Sequence, residues 1–115
     1  MSTVKGEHMN DLAAMHCKPL EGHAAMGAAE IEAHLKLVRG WALSDGAIEK
    51  RYTFKNYHET MAFVNAQAWV AHKEDHHPEL AVSYANCTVR FNTHSVGGIS
   101  INDFICAARL DALFA

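Results

Sequence analysis

Between residues 72 and 103 the chain gathers four histidines, His72, His76, His77 and His94, and closes with a carboxylate, Asp103. Imidazole is the only side chain whose ordinary pKa lies near neutrality, so such a group can both give and take protons at cellular pH. Taken alone, the adjacent His76 and His77 are more often a solvated helix cap than a site. The further intervals to Tyr84, His94 and Asp103 make the set a candidate for proton transfer. Two rival readings stand beside this one. His72 and His76, four apart on a helix, can share a metal with His94 as third ligand. However, Lys73 stands where a metalloprotease helix carries its general base, no cysteine is spaced to help, and no metal is expected. Asp103 also fits the third helical position of a capping box opened by Ser100.

These residues need a scaffold that brings them together. Asn56, with Glu59 three residues on, opens a helical pattern from Tyr57 to about His76, and Pro78 biases His77 away from the helical region. The paired histidines then sit at the helix C-terminus, where the dipole favours the protonated imidazole. Leu80–Ala85 and Thr88–Thr93 read as a hairpin about Asn86, with Leu80, Val82, Tyr84, Val89 and Phe91 buried. His94 shares the parity of Thr88, Arg90 and Asn92, so it projects from the polar side just past the strand. After Gly97-Gly98 a last helix turns Phe104, Ile105, Ala108 and Leu113 inward.

Upstream, Ile31, Leu35 and Val38 mark a helix over 28–39 stopped by Gly40, and Trp41–Leu43 and Ile48–Phe54 form a hairpin about Ser44-Asp45-Gly46. Residues 1–27 show no sustained period and read as a loosely ordered arm, leaving 28–115 as a single domain. The order α-β-β-α-β-β-α predicts an α+β fold, a four-stranded antiparallel sheet with helices packed on one face. The long helix carries two apolar stripes. Tyr57, Met61, Val64, Ala68 and Ala71 are assigned to the core, while Ala62, Phe63, Ala66, Trp69 and Val70 are left as a partner surface, so a homodimer or homotetramer is expected.

With 115 residues, 50% hydrophobic and 20% charged, the chain has the balance of one globular domain. A net charge of −3 gives no basic footprint, and direct nucleic-acid binding is not expected. Cys17, Cys87 and Cys106 are odd in number and form no CxxC, which fits a reducing compartment. No apolar run approaches the roughly 20 residues of a membrane span, and the first residues have no leader-like apolar stretch, so a soluble cytoplasmic protein is expected.

The run His72-x3-His76-His77-Pro78-x5-Tyr84-x9-His94-x8-Asp103 resembles the signature of the pterin-4a-carbinolamine dehydratases. Cys17-x-Pro19-Leu20, Gly40-Trp41, Tyr52-x-Phe54 and Gly97-Gly98-Ile99 extend the likeness from Cys17 to the C-terminus. The resemblance implies loss of water from a 4a-hydroxytetrahydropterin, which recycles the pterin of aromatic amino-acid hydroxylases. The pterin is then the substrate and no cofactor is implied. By the same resemblance His76 and His94 are the acid/base pair, His77 holds the pterin and shares in proton transfer, and Asp103 orients an imidazole. His72 and Pro78 join Asp103 as substrate-binding or orienting positions, although relatives often carry a glutamate where this chain has His72. Members of the family also act as transcriptional cofactors, and degenerate relatives assist assembly of other proteins. A protein-interaction role is therefore the alternative reading.

Overall fold

Asp45 and Gly46 both take positive φ, 50° and 80°, and so form the two-residue turn whose twist suits an antiparallel hairpin. In the computed structural model, which describes residues 9–114, that turn joins β1 (Ala42–Ser44) to β2 (Ala47–Thr53). A second hairpin pairs β3 (Glu79–Val82) with β4 (Asn86–Phe91), and the sheet order is β1-β2-β4-β3, antiparallel throughout. Ile48 and Tyr52 of β2 lie opposite Phe91 and Cys87 of β4, and all four are buried. The alternate pairs, Glu49 with Arg90 and Arg51 with Thr88, face outward. The sheet is thus covered on one face, and with its helices the fold is α+β, as the alternation predicts.

The covering layer is built on α4 (Ile101–Ala112), in which Phe104 through Ala108 and Leu110 are all buried. Leu113, expected to face inward, lies past the helix end and is exposed. The first helical pattern gives α2 (Ala28–Leu35), shorter than the predicted 28–39. Leu37 and Val38 already donate to carbonyls three residues back, and Gly40, at φ 84°, turns the chain into β1.

α3 (Tyr57–Glu74) starts as expected: Asn56 Oδ1 accepts the Glu59 N–H at 2.9 Å, while Glu59 reaches back to the Lys55 N–H. Its end and its inner face both depart from the sequence reading. The helix stops at Glu74, because Asp75 adopts the left-handed conformation (φ 52°). The Asp75 N–H then reaches the His72 carbonyl and the His76 N–H the Ala71 carbonyl, a Schellman arrangement. His76 and His77 are therefore just beyond the helix. The buried residues of α3 are Thr60, Phe63, Gln67 and Glu74, whereas Tyr57 and Ala68 are exposed. Three of the four are polar, so a stripe drawn from apolar residues alone was rotated off the core. Val82 and Tyr84 are likewise exposed, since β3 is an edge strand.

The segment read as an arm is described from Met9 onward. A short helix, α1 (Met9–Ala13), packs on α4, Leu12 is fully buried, and the Met26 N–H donates to the Ile99 carbonyl. Leu12 and Leu20 are too few to show a period, yet each is buried. Residues 1–8 of the expected arm lie outside the described residues. Among the described residues no helix is long and apolar enough to cross a membrane.

Candidate active site

Asp103 is fully buried at the start of α4, and both of its oxygens are used. Oδ2 accepts the Ser100 N–H and the Thr93 hydroxyl, each at 2.9 Å, and the Ser100 hydroxyl lies 2.6 Å from that of Thr93. Oδ1 lies 2.6 Å from His76 Nε2. The capping box and the histidine partner, two separate readings of Asp103, are therefore served by opposite oxygens of one carboxylate. An acceptor-only carboxylate requires the proton on Nε2, which leaves Nδ1 of a neutral His76 with its lone pair. The ring is held flat beside Phe91, 10° from parallel with centroids 5.8 Å apart.

His76 forms one wall of a cavity of about 330 Å³ at the end of the sheet where β2 begins. His77 and His94 also line it, and both are exposed. His94 opens a single 3-10 turn, His94–Val96, in a loop closed by the Thr93 N–H donating to the Gly98 carbonyl at 2.7 Å. The turn after α3 and the turn after β4 thus bring three imidazoles to one opening. A larger cavity, about 660 Å³, lies toward the other end of β2, beside Tyr52, Thr53 and Phe114. It holds no imidazole. Its one carboxylate, Asp111, is already bonded to Trp41, Lys50 and Tyr52, so size does not make it the reactive site.

Two expected positions are not brought to the cavity. His72 is exposed on α3 with its ring 5.6 Å from that of Trp69, and it does not line the cavity. The Glu74 end of the helix turns inward, which carries the residue two positions earlier away. Pro78 is half-buried and also outside the lining; it follows the helix end without making it. Nor do His72, His76 and His94 converge as a ligand set, since among the described residues no metal-type cluster forms.

Several wall residues were not singled out from sequence. Thr93 continues the buried parity of Cys87, Val89 and Phe91, and a hydroxyl at such a position demands a partner; that was the available signal. Arg90 reaches the wall from the polar side, paired to Glu49 at 2.5 Å and to the Asp45 carbonyl. Behind the site, Glu74 is buried, which alone would raise its pKa. The Cys17 N–H at 2.7 Å, His16 at 2.9 Å and Arg109 outweigh that and hold it below its ordinary 4.5.

Residues 24–113 match the family model described as pterin 4 alpha carbinolamine dehydratase. A Nitrosospira multiformis protein provisionally named a pterin-4-alpha-carbinolamine dehydratase is 49% identical over 107 residues, 92% of this chain and 95% of its own. A Nitrosomonas eutropha protein of the same name is 53% identical over 105 residues, 90% of this chain and 93% of its own. Among solved structures, a transcriptional coactivator/pterin dehydratase from Brucella melitensis superposes with a TM-score of 0.76 at 29% identity, covering 79% of this chain and 99% of that one.

Proposed function

This chain belongs to the pterin-4a-carbinolamine dehydratase family, and we propose that it removes water from a 4a-hydroxytetrahydropterin by proton transfer through His76 and His94. The observation that carries the reading is the His76–Asp103 contact at the wall of a cavity shared with His77 and His94. His76, its Nε2–H donated to Asp103, offers Nδ1 as base to the ring N–H beside the carbinol carbon. The released electron pair forms the carbon–nitrogen double bond as the carbon–oxygen bond breaks. His94, as imidazolium, gives its proton to the departing hydroxyl, which leaves as water. The product is the quinonoid dihydropterin, and proton exchange with solvent restores both imidazoles. His77, exposed at the rim, holds the pterin. The role fits recycling of the pterin of an aromatic amino-acid hydroxylase in the cytoplasm.

The test is turnover of a 4a-hydroxytetrahydropterin by the purified protein. His76→Ala and His94→Ala are each expected to slow it by roughly a hundred- to ten-thousand-fold. Full activity in the double variant would overturn the assignment. The structural neighbour's description as a coactivator as well as a dehydratase favours protein binding as a second role, and a partner retained by the catalytically dead double variant would separate the two.

A further inference from the structure

Cys17 and Cys106 come from opposite ends of the chain, 89 residues apart, yet their sulfurs lie 3.5 Å from one another. Cys106 is fully buried on α4, one turn beyond Asp103, and its Sγ–H points to the His76 carbonyl at 3.9 Å. Cys17 is half-buried, with its Sγ 3.6 Å from the Asn102 carbonyl. Each thiol thus has a carbonyl to donate to, and the two sulfurs are left facing each other.

The segment that carries Cys17 is already fastened on both sides. The Cys17 N–H donates to Glu74, the Lys18 N–H to Asn102 Oδ1, and Asn102 Nδ2 returns a bond to the Lys18 carbonyl at 2.8 Å. Cys17 also lines a separate opening of about 210 Å³, bounded by Glu74, His76 and Thr93, so a small solute reaches it from solvent. Cys87, the third thiol, is fully buried in β4 and burial pushes its pKa up. It has no such opening.

We propose that Cys17 and Cys106 are a modification site: a hydroperoxide converts them to an intramolecular disulfide that ties the N-terminal segment to α4 behind His76. The Cys17 thiolate attacks the peroxide oxygen, the oxygen–oxygen bond breaks, and hydroxide (or alkoxide) departs, leaving a sulfenic acid on Cys17. The Cys106 sulfur then attacks the Cys17 sulfur, its proton leaves with the displaced hydroxyl as water, and the S–S bond forms. The peroxide is reduced by two electrons, which the two thiols supply. Closing from 3.5 Å to a bond of about 2.0 Å needs a movement of about 1.5 Å. The half-buried segment, not the packed helix, supplies it. A dithiol reductant reverses the reaction by exchange.

Titration of the full chain with hydrogen peroxide tests this by intact mass and thiol count. The expected result is loss of two hydrogens, with one titratable thiol remaining in the denatured protein and no covalent dimer. The Tm should rise, and dithiothreitol should restore the original mass and Tm. Cys106→Ala should halt at the sulfenic acid on Cys17, captured by a cyclic 1,3-diketone, and Cys17→Ser should leave the remaining thiols reduced under the same dose. If wild type keeps three thiols, adds oxygens to Cys17 without losing the pair, or joins through an intermolecular bond, the proposal fails. None of these readouts depends on the dehydratase reaction.

Discussion

Asp103 answers to two demands at once, and they separate on substitution. Asparagine fills the same volume, but it must turn its NH₂ either toward the Ser100 N–H and the Thr93 hydroxyl or toward His76 Nε2. The first sets the amide against the Ser100 N–H, donor to donor; the second forces Nε2 to accept, so that the proton moves to Nδ1 and the base is lost. Asp103→Asn is expected to lower kcat by roughly a hundred- to ten-thousand-fold, while leaving a buried group to destabilise the fold by about 1–3 kcal/mol. Steady-state kinetics beside thermal melts read the two effects separately, and an unchanged kcat would release His76 from the role given to Asp103. Glu74 makes a pH statement of its own. Its pKa is lower in the folded chain than its ordinary 4.5, so its contribution to stability is complete above that value and fades as pH falls through the folded one. Melts of the wild type should therefore lose ground over the interval below 4.5 as the pH falls. Glu74→Gln, which cannot ionise, should lose less over that interval; equal losses would show that other carboxylates govern the acid limb.

At the scale of the elements, the histidine positions were legible because each sits next to a break that sequence marks: Pro78 beyond His77, the end of an alternating strand before His94, Ser100 before Asp103. The exact stop of α3 was not legible. A non-glycine residue in the left-handed region leaves no composition signal, and Asp75 is one of two non-glycine residues with positive φ among the described residues. The inner face of α3 was misread for a related reason, as Thr60 and Glu74 are buried with partners that come from far along the chain, Tyr84 and Cys17. Since the Asp75 turn presents His76 to the cavity, its geometry carries function. Asp75→Val should destabilise by about 1–2 kcal/mol, because the left-handed region that a short polar aspartate tolerates is closed to a β-branched side chain, and should lower kcat with it. Asp75→Gly should melt at or above the wild-type temperature, and a lower Tm would mean that the aspartate side chain, not its φ, holds the turn.

For the molecule as a whole, the sequence could mark an apolar surplus on α3 but could not say which part the chain covers itself. Phe63, counted with the outward stripe, is only 5% exposed and packs against Tyr52, Phe54 and Phe114. Trp69 is 63% exposed, and Ala62 and Ala66 continue its stripe toward the start of the helix. That stripe borders an apolar hollow of about 400 Å³ walled by Phe54, Leu113 and Phe114, the last two exposed. The outward surface is therefore real but displaced from the residues that periodicity picked, and it includes the end of the chain, where no period could be read. Burying a large apolar side chain is worth about 1.5–3 kcal/mol, and a two-fold axis through this face would count each residue twice. A homo-oligomer built on α3 and the C-terminal residues is the expected resting state, a dimer or a pair of dimers. Trp69→Glu combined with Phe114→Glu should give a smaller species by light scattering, with dehydration still measurable because neither residue lines the histidine cavity. Phe63→Glu is the contrasting variant: it should unfold the chain before it dissociates anything. A wild-type protein that scatters as a monomer at micromolar concentration would sink the oligomer and leave the Trp69 face to a different partner.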